Sequence, residues 1–141
     1  MTGWLGVVSQ AHVLRGVSGG FAQVCHGKAE PLRRMRTGDW LIYYSPATEM
    51  GGEPLRNFTA LGEVVDDDVF QHDMGGGFVP FRRRIRYAMA REVSLAALKD
   101  QLDLCAQPNW GIALRRGHLK LSPRDFTTIA GAMGMTMKVA A

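Results

Sequence analysis

The stretch Asp39-Trp40-Leu41-Ile42-Tyr43-Tyr44-Ser45 (DWLIYYS) is the strongest strand signal in the chain. Aromatic and β-branched residues follow a Gly38-Asp39 turn, which is the pattern of a strand that starts after a tight turn. Four more short runs on either side have the same character: residues 4–9, 21–26, 58–65 and 82–89. Short strands separated by Gly- and Asp-containing turns predict a barrel or sandwich rather than alternating βαβ units.

Two helices are predicted near the end of the chain. Ser94 can cap the first, whose core-facing side would carry Leu95, Leu98 and Leu102 at helical spacing. The second starts at Ser122-Pro123-Arg124-Asp125, with Ser as the N-cap and Pro in the first turn. Its buried face and C-cap are Phe126, Ile129, Met133 and Gly134. Shorter helical turns are predicted at residues 10–16 and 31–36. The fold class is therefore α+β: a small mixed β-barrel with peripheral short helices.

Two glycine-containing segments, residues 47–57 and 66–80, are predicted as long, mobile loops. Loops of this length in a compact domain are often functional, although plain flexibility explains them equally well. No repeat or long linker divides the chain, so we expect one domain over residues 1–141. The C-terminal segment 135–141 is either a frayed tail or a dimer contact, and the oligomeric state is left open.

Composition is that of a soluble globular protein, with 46% hydrophobic and 21% charged residues among 141. No uncharged apolar run approaches the ~18 residues of a membrane-spanning helix, and no secretory leader is recognisable. Cys25 and Cys105 are too few for a disulfide framework, so reduced thiols and a cytoplasmic location are expected.

Arginine dominates the positive charge of the chain. The net charge is +4, and the 17 basic residues divide into 13 Arg and 4 Lys. Many Arg are clustered, at positions 33, 34 and 36, at 82–84 and 86, and at 115 and 116. A guanidinium is a planar fork that matches phosphate and stacks on bases, which favours an anionic partner. The alternative is a solvated surface in an Arg-rich protein.

Motifs for nucleotide hydrolysis and for metal binding are missing. Gly27-Lys28 suggests a phosphate loop, but Ala22 stands where the first Gly is needed and Ala29 follows the Lys. The four His residues are scattered and no CxxC occurs, so no metal or cofactor is predicted. The acidic run at residues 66–68, with His72 and Asp73, is best explained as a solvated turn. Cys25 and His26 would point to opposite faces of the predicted strand and could not act as a pair.

The segment Arg82–Tyr87 carries four arginines in alternation with other residues. In a strand, Arg82, Arg84 and Arg86 would share one face and could follow nucleic-acid phosphates. Arg83 would point inward with Ile85 and Tyr87, where it needs either an internal partner or a ligand. Aromatic residues on or beside the predicted strands, Trp110 among them, offer platforms for base stacking, although most are expected in the core.

Taken in order, several motifs resemble the EVE domain family. They are Trp4-Leu-Gly-Val-Val-Ser9 followed by His12, Gly20-Phe21-Ala-Gln23-Val-Cys-His26-Gly27-Lys28, Met35-Arg-Thr-Gly38-Asp39, Tyr43-Tyr44-Ser45-Pro46, Phe58-Thr-Ala-Leu-Gly62, Pro80-Phe81-Arg82-Arg83, Trp110-Gly111 and Asp125-Phe126. The resemblance runs from Trp4 to about Met133. It implies the PUA-like fold, shared with PUA, ASCH and YTH domains, and a pocket for a modified base of DNA or RNA in a basic cleft.

The resemblance also implies where the pocket lies, near the first strand and the segment after it. The ligand-binding residues expected on this basis are Ser9, His12, Gln23, His26, Gly27, Lys28, Tyr44, Ser45, Pro46 and Trp110. Arg82 and Arg83 would lie at its edge, with Arg84 and Arg86 continuing the backbone contact.

Three functions follow as hypotheses. The first is a binding module in which an aromatic wall stacks on a base, polar side chains read its edge, and Arg side chains hold phosphates. The second is an enzyme acting on RNA or a nucleotide through His26, Lys28 or His12. The third is a protein-interaction module; a cleft filled by the protein's own side chains, or an Arg stripe paired with internal carboxylates, would favour it.

Overall fold

A computed structural model describes residues 1–135 of the chain. Among them, seven strands form one mixed sheet with the order β2-β5-β4-β3-β1-β7, and β6 pairs with β4 off this path. β1 runs parallel to β3, and the other pairs are antiparallel. The strands are β1 Gly3–Val7, β2 Phe21–Ala22, β3 Trp40–Ala47, β4 Pro54–Gln71, β5 Phe81–Tyr87, β6 Val93–Ser94 and β7 His118–Leu121.

Short helices surround the sheet. They are α1 Gln10–Gly19, α2 Ala29–Arg34, α3 Leu95–Leu98, α4 Asp103–Ala106, α5 Trp110–Leu114 and α6 Pro123–Ala132, with 3-10 turns at Cys25–Gly27 and Lys99–Gln101. A mixed sheet with peripheral short helices confirms the predicted α+β class. None of the helices in residues 1–135 is both long and apolar enough to cross a bilayer. The C-terminal segment, from residue 136 onward, lies outside the described residues.

The central strand β3 explains why the DWLIYYS stretch is apolar on both faces. Leu41 and Tyr43 belong to one buried cluster, whereas Ile42 and Tyr44 belong to another. Successive strand residues point to opposite faces, so the two clusters lie on the two sides of the sheet. Helices α1 and α2 contribute to the first cluster and α3 and α6 to the second. A strand covered on both faces needs a near-continuous apolar run.

Both predicted helix starts are confirmed. Ser94 Oγ accepts a hydrogen bond from Ala97 N at 3.2 Å, and Ser122 Oγ accepts one from Asp125 N at 3.1 Å. The first helix is shorter than its leucine spacing suggests, because α3 gives way to a 3-10 turn after Leu98. Its three leucines are nevertheless buried. The predicted helical turns at 10–16 and 31–36 correspond to α1 and α2.

The strand predicted at residues 21–26 is wrong beyond its second residue. Phe21 and Ala22 pair with β5, but Cys25 and His26 then adopt φ of 50° and 60°. Such angles break the extended backbone that a ladder requires, and a 3-10 turn forms instead.

The two predicted loops are shorter than expected, because β4 extends over parts of both. Its first residues pair with the end of β3, from Pro54↔Ala47 to Asn57↔Ser45. Its last residues pair with β5, from Val69↔Arg83 to Gln71↔Phe81. What remains are the β3–β4 tip at residues 48–53 and the β4–β5 tip at residues 72–80.

Candidate functional site

Two adjoining cavities open beside the C-terminal end of β1. The first, about 290 Å³, is called the small cavity, and the second, about 820 Å³, is called the basic cavity. Val7 and His26 line both, so these two residues form the wall between them. Of the predicted ligand residues, Ser9, His12, Gln23, His26 and Arg82 line the small cavity, whereas His26, Lys28, Tyr44 and Pro46 line the basic cavity.

The start of α1 positions the polar end of the small cavity. Ser9 is the N-cap, and its Oγ accepts a hydrogen bond from His12 N at 3.4 Å. The His12 ring, one turn into the helix, lies with Nε2 2.7 Å from the carbonyl oxygen of Gln23. Because a carbonyl only accepts, Nε2 carries the proton and Nδ1 is left as an acceptor. Burial lowers the pKa of His12, and the positive charges of Arg15 and Arg82 add to this effect, so the ring is neutral at pH 7.

Arg82 closes the opposite side of the small cavity. Its guanidinium carbon lies 3.8 Å from the centroid of the Phe21 ring, and its Nε donates to Gln23 Oε1 at 3.1 Å. The side chain is only 8% exposed, and burial lowers its pKa. Within residues 1–135 no carboxylate lies within ion-pairing distance of this group. A desolvated cation without a counter-charge attracts an anionic or acceptor-bearing ligand.

The turn after Gln23 fixes the β4–β5 tip over the small cavity. Gly27 has φ of +81°, and a Cβ built on it would lie 2.4 Å from Pro80 Cβ. A glycine is therefore required, both by the backbone angle and by the close approach of Pro80. The contact places Phe78, which precedes Pro80 by two residues, in the wall of the cavity. Gly27 itself is buried and does not line either cavity.

Apolar side chains complete the small cavity. Phe21 and Phe78 supply aromatic rings, and Met50 and Met74 reach it from the β3–β4 and β4–β5 tips. Met50 is 87% exposed, and Met74 and Phe78 are a little under half exposed. The cavity thus combines an apolar rim with a polar, cationic interior.

The basic cavity collects four cations: Lys28, Arg56, Arg115 and Arg116. Neither cavity has an Asp or Glu in its lining. None of these four side chains forms an ion pair among the described residues. The 114–117 segment is held here because Val7 N donates to Gly117 O at 2.8 Å.

Cys25 also lines the basic cavity, where its Sγ lies 3.5 Å from the Arg116 carbonyl oxygen. Burial raises the pKa of this thiol, so it remains protonated at neutral pH. No three His, Cys, Asp or Glu side chains in residues 1–135 lie close enough together to hold a metal ion.

Besides Gly27, three predicted ligand residues lie elsewhere or only partly in the site. Tyr44 lines the basic cavity but is 4% exposed and packs on Phe58 at 5.5 Å between ring centroids. Ser45 is fully buried and hydrogen-bonded to Thr59 Oγ1 at 2.8 Å. Trp110 begins α5 rather than lying beside a strand, and its ring packs against the core with Lys99 Nζ 5.6 Å from its centroid.

Arg83 has the internal partners that the sequence left as one of two alternatives. It is 2% exposed, and its guanidinium donates to the backbone carbonyls of Leu32, Met35 and Asp66. These carbonyls belong to α2, its C-terminal end and β4, so Arg83 ties three segments together. Its groups are directed into the protein and away from both cavities.

Arg84 and Arg86 point into solvent but are neutralised by carboxylates on β4. Arg84 Nη1 lies 3.3 Å from Asp66 and 3.9 Å from Asp68, and Arg86 Nη1 lies 3.3 Å from Glu63. The predicted stripe of three cations is therefore divided. Arg82 lies in the small cavity, and the other two are paired with carboxylates. The cleft, in contrast, is open rather than filled by side chains.

Several residues of the site were missed by the sequence analysis. Arg15, Phe21, Met50, Met74 and Phe78 in the small cavity, and Arg56, Arg115 and Arg116 in the basic cavity, were not assigned to a pocket. Arg115 and Arg116 belong to a predicted arginine cluster, and Met50, Met74 and Phe78 lie in the two segments predicted as mobile loops, for which function and plain flexibility were left as alternatives. No sequence signal pointed to Arg15 or Arg56.

Comparisons with known structures concern the fold. The YTH domain of the Zygosaccharomyces rouxii MRB1 protein in complex with N6-methyladenosine RNA aligns with a TM-score of 0.62 at 12% identity, covering 99% of this chain and 92% of that chain. Human THYN1 protein in complex with 5-methylcytosine containing DNA aligns with a TM-score of 0.53 at 12% identity, covering 97% and 100%. The likeness confirms the PUA-like fold.

Sequence comparisons give the family. The family model for the EVE domain matches residues 2–132. The UPF0310 protein YdcG of Bacillus subtilis (strain 168) is 44% identical over 136 residues, which cover 95% of this chain and 93% of YdcG. Since the family model spans nearly the whole chain and a relative of almost equal extent shares this identity, the chain belongs to the EVE domain family.

Proposed function

We propose that this protein binds nucleic acid, with one base held in the small cavity and the flanking phosphates in the basic cavity. The observation that carries this is the charge of the basic cavity. Lys28, Arg56, Arg115 and Arg116 converge there, and no carboxylate lines it. Cations without internal partners are free to replace the counterions of a phosphate backbone.

The small cavity suits a planar, partly polar group. Phe21, with the Arg82 guanidinium stacked on it, and Phe78 supply flat surfaces, and base stacking on such groups contributes about 1–3 kcal/mol per base. Ser9, His12 and Gln23 supply hydrogen-bonding groups at the other end. Its volume of about 290 Å³ is near the lower end of the range of small-ligand pockets.

The similar solved structures support this assignment by analogy. One holds N6-methyladenosine RNA and the other 5-methylcytosine containing DNA, so the same fold accommodates a modified nucleic acid in those proteins. By the same analogy, we infer that this chain is a reader of a modified base.

Binding is favoured over catalysis by the arrangement of the titratable groups. His12 and Lys28 line different cavities, and no hydrogen bond links His12, His26 and Lys28 to one another in the described part of the chain. General acid–base chemistry needs such groups within hydrogen-bonding reach of a common reacting atom.

Salt-dependent binding tests the proposed function. The probe is a fluorescein-labelled 12-nucleotide single strand, titrated by fluorescence anisotropy between about 50 and 300 mM NaCl. The double variant Arg115→Gln/Arg116→Gln removes two cations of the basic cavity. We expect weaker binding at every salt concentration and a plot of log K against log [NaCl] that is shallower by about 1 to 1.5, because each phosphate contact contributes about 0.7.

The matched control is Arg84→Gln/Arg86→Gln, which removes the same charge from cations already paired with Asp66 and Glu63. It should leave the slope of the wild-type protein nearly unchanged. Equal losses in the two double variants would mean that only net charge matters and that the basic cavity is not the binding surface. If the affinity did not depend on salt concentration, the protein would make no phosphate contacts and this part of the proposal would be wrong.

A further inference from the structure

The hydrogen-bonding groups of the small cavity are mostly donors. On the basis of the nucleic-acid binding proposed above, we propose that this cavity selects a base with two adjacent acceptors on its reading edge. Guanine, with O6 and N7, fits this description; adenine and cytosine present an amino group instead. The selectivity follows from four side chains, Ser9, His12, Gln23 and Arg82, whose internal hydrogen bonds determine what each can still offer to a ligand.

Arg82 is the principal donor. Its Nε donates a hydrogen bond to Gln23 Oε1, but neither Nη group makes a hydrogen bond among residues 1–135. The side chain is buried, and its guanidinium carbon lies 3.8 Å from the centroid of the Phe21 ring. Stacking and the Nε bond together hold the guanidinium plane in place. A fixed pair of Nη donors matches the O6/N7 edge of guanine, the commonest partner of Arg on a base.

Gln23 adds a second donor, and its orientation follows from the same bond. Arg82 Nε can only donate, so the atom that faces it is the amide oxygen. The amide nitrogen, with two hydrogens, is therefore the group left over, and no hydrogen bond occupies it in the described residues. Gln23 is 5% exposed and lines the small cavity, so its amide nitrogen is available to a ligand that enters there.

Ser9 and His12 complete the set. The Ser9 oxygen accepts from His12 N, which leaves its hydroxyl hydrogen free to donate. His12 offers the one fixed acceptor, Nδ1, because its Nε2 proton faces the Gln23 carbonyl. An amino-bearing base edge meets His12 Nδ1 and the second lone pairs of the Ser9 and Gln23 oxygens, whereas an acceptor-bearing edge meets the charged Nη donors of Arg82 together with Gln23 Nε2 and the Ser9 hydroxyl. Leaving buried donors unpaired is costly, which is the physical basis of the discrimination.

The test uses oligomers that differ only in one base. Seven-residue strands of abasic tetrahydrofuran phosphates carry a single central guanine, adenine, cytosine or thymine, or no base at all. All five have the same phosphates, so differences in anisotropy-measured affinity come from the base. We expect guanine to bind about tenfold more tightly than adenine, cytosine or the abasic strand, with thymine between them.

A variant at Gln23 replaces the amide donor of this side chain by an acceptor. Gln23→Glu keeps an oxygen facing Arg82 Nε and replaces the amide nitrogen by an acceptor, so the preference for guanine over cytosine should shrink several-fold or reverse. Gln101→Glu, an exposed position outside both cavities, is the control with the same change in charge. An unchanged preference in Gln23→Glu would remove Gln23 from the selection.

The failures are distinguishable. If none of the five strands binds at low salt, the proposed nucleic-acid binding is wrong. If all five bind equally, phosphates bind but the small cavity does not take a base. If adenine or cytosine binds most tightly, the cavity takes a base and the donor-based selection is overturned. The wild-type comparison stands even if Gln23→Glu does not fold.

Discussion

Replacing Arg83 by Met tests whether this buried guanidinium is structural. Met has a similar aliphatic length but no donors, so Arg83→Met leaves the carbonyls of Leu32, Met35 and Asp66 without their partner. Nη1 donates to Leu32 O at 2.6 Å and also to Met35 O, and Nε and Nη2 donate to Asp66 O at 3.1 and 2.8 Å. Losing the partner costs about 1–3 kcal/mol for each of the two buried carbonyls, and less for the part-buried carbonyl of Asp66.

Part of that cost is offset, because the variant no longer buries a charge. Burial lowers the pKa of Arg83, a sign that desolvation of the cation opposes folding, while Asp67 and Asp66 partly compensate. The net loss in the free energy of unfolding should be about 3–5 kcal/mol, the range typical of breaking a buried charged network. The assay is urea unfolding at pH 7, followed by tryptophan fluorescence and far-UV circular dichroism.

Arg84→Met is the matched control, one residue along the same strand. Its guanidinium is 52% exposed and pairs with Asp66 and Asp68 at the surface, so the loss should stay below about 1 kcal/mol. The reasoning is refuted if the two variants lose similar stability. It is also refuted if Arg83→Met folds normally but loses affinity for nucleic acid, since Arg83 would then contact a phosphate.

Three further predictions concern buried groups. His118 stacks on Trp4 at 4.8 Å between ring centroids, neither ring nitrogen has a partner in the described residues, and burial lowers its pKa to about 4. Because the unfolded state takes up a proton near pH 6.5, the free energy of unfolding of the wild-type protein should fall by about 2–3 kcal/mol from pH 7 to 4.5. Urea unfolding of His118→Phe should lack that part of the loss. A parallel pH dependence in both proteins would contradict this. Asp39 accepts hydrogen bonds from Thr2 N, Trp4 Nε1 and Arg36 N at 2.8–3.0 Å. Asp39→Asn should therefore lower the free energy of unfolding by about 2–3 kcal/mol, measured by thermal or urea unfolding. A loss under about 0.5 kcal/mol would mean that these bonds contribute little. Gly27→Ala adds strain at φ +81° and a clash with Pro80, and should lose about 1–3 kcal/mol and oligonucleotide affinity, whereas Gly38→Ala, at φ +90° in open space, should lose stability only. If both variants bound the oligonucleotide equally well, Gly27 would not be needed to shape the binding site.

Elements with local signals could be predicted from the amino-acid pattern alone. β3 could be predicted from its apolar run, because a strand covered on both faces is apolar throughout. The caps at Ser94 and Ser122 are legible because the side chain bonds the backbone three residues away. The family resemblance likewise placed Ser9, His12, Gln23 and His26 near one another, and the structure brings these four to the wall of the small cavity. Whether they bind a ligand stays a prediction.

Which cations face the cavities depends on contacts between distant parts of the chain. Periodicity put Arg82, Arg84 and Arg86 on one face, but it carries no information on what lies across from them. The first residue of β2, Phe21, lies against Arg82, while β4 brings Asp66 and Glu63 against the other two arginines. Likewise, Arg56 and Arg115 meet Lys28 only after separate segments have folded together. Charge pairing depends on distances between residues remote in sequence, so it is fixed by packing of the whole sheet and not by any local pattern.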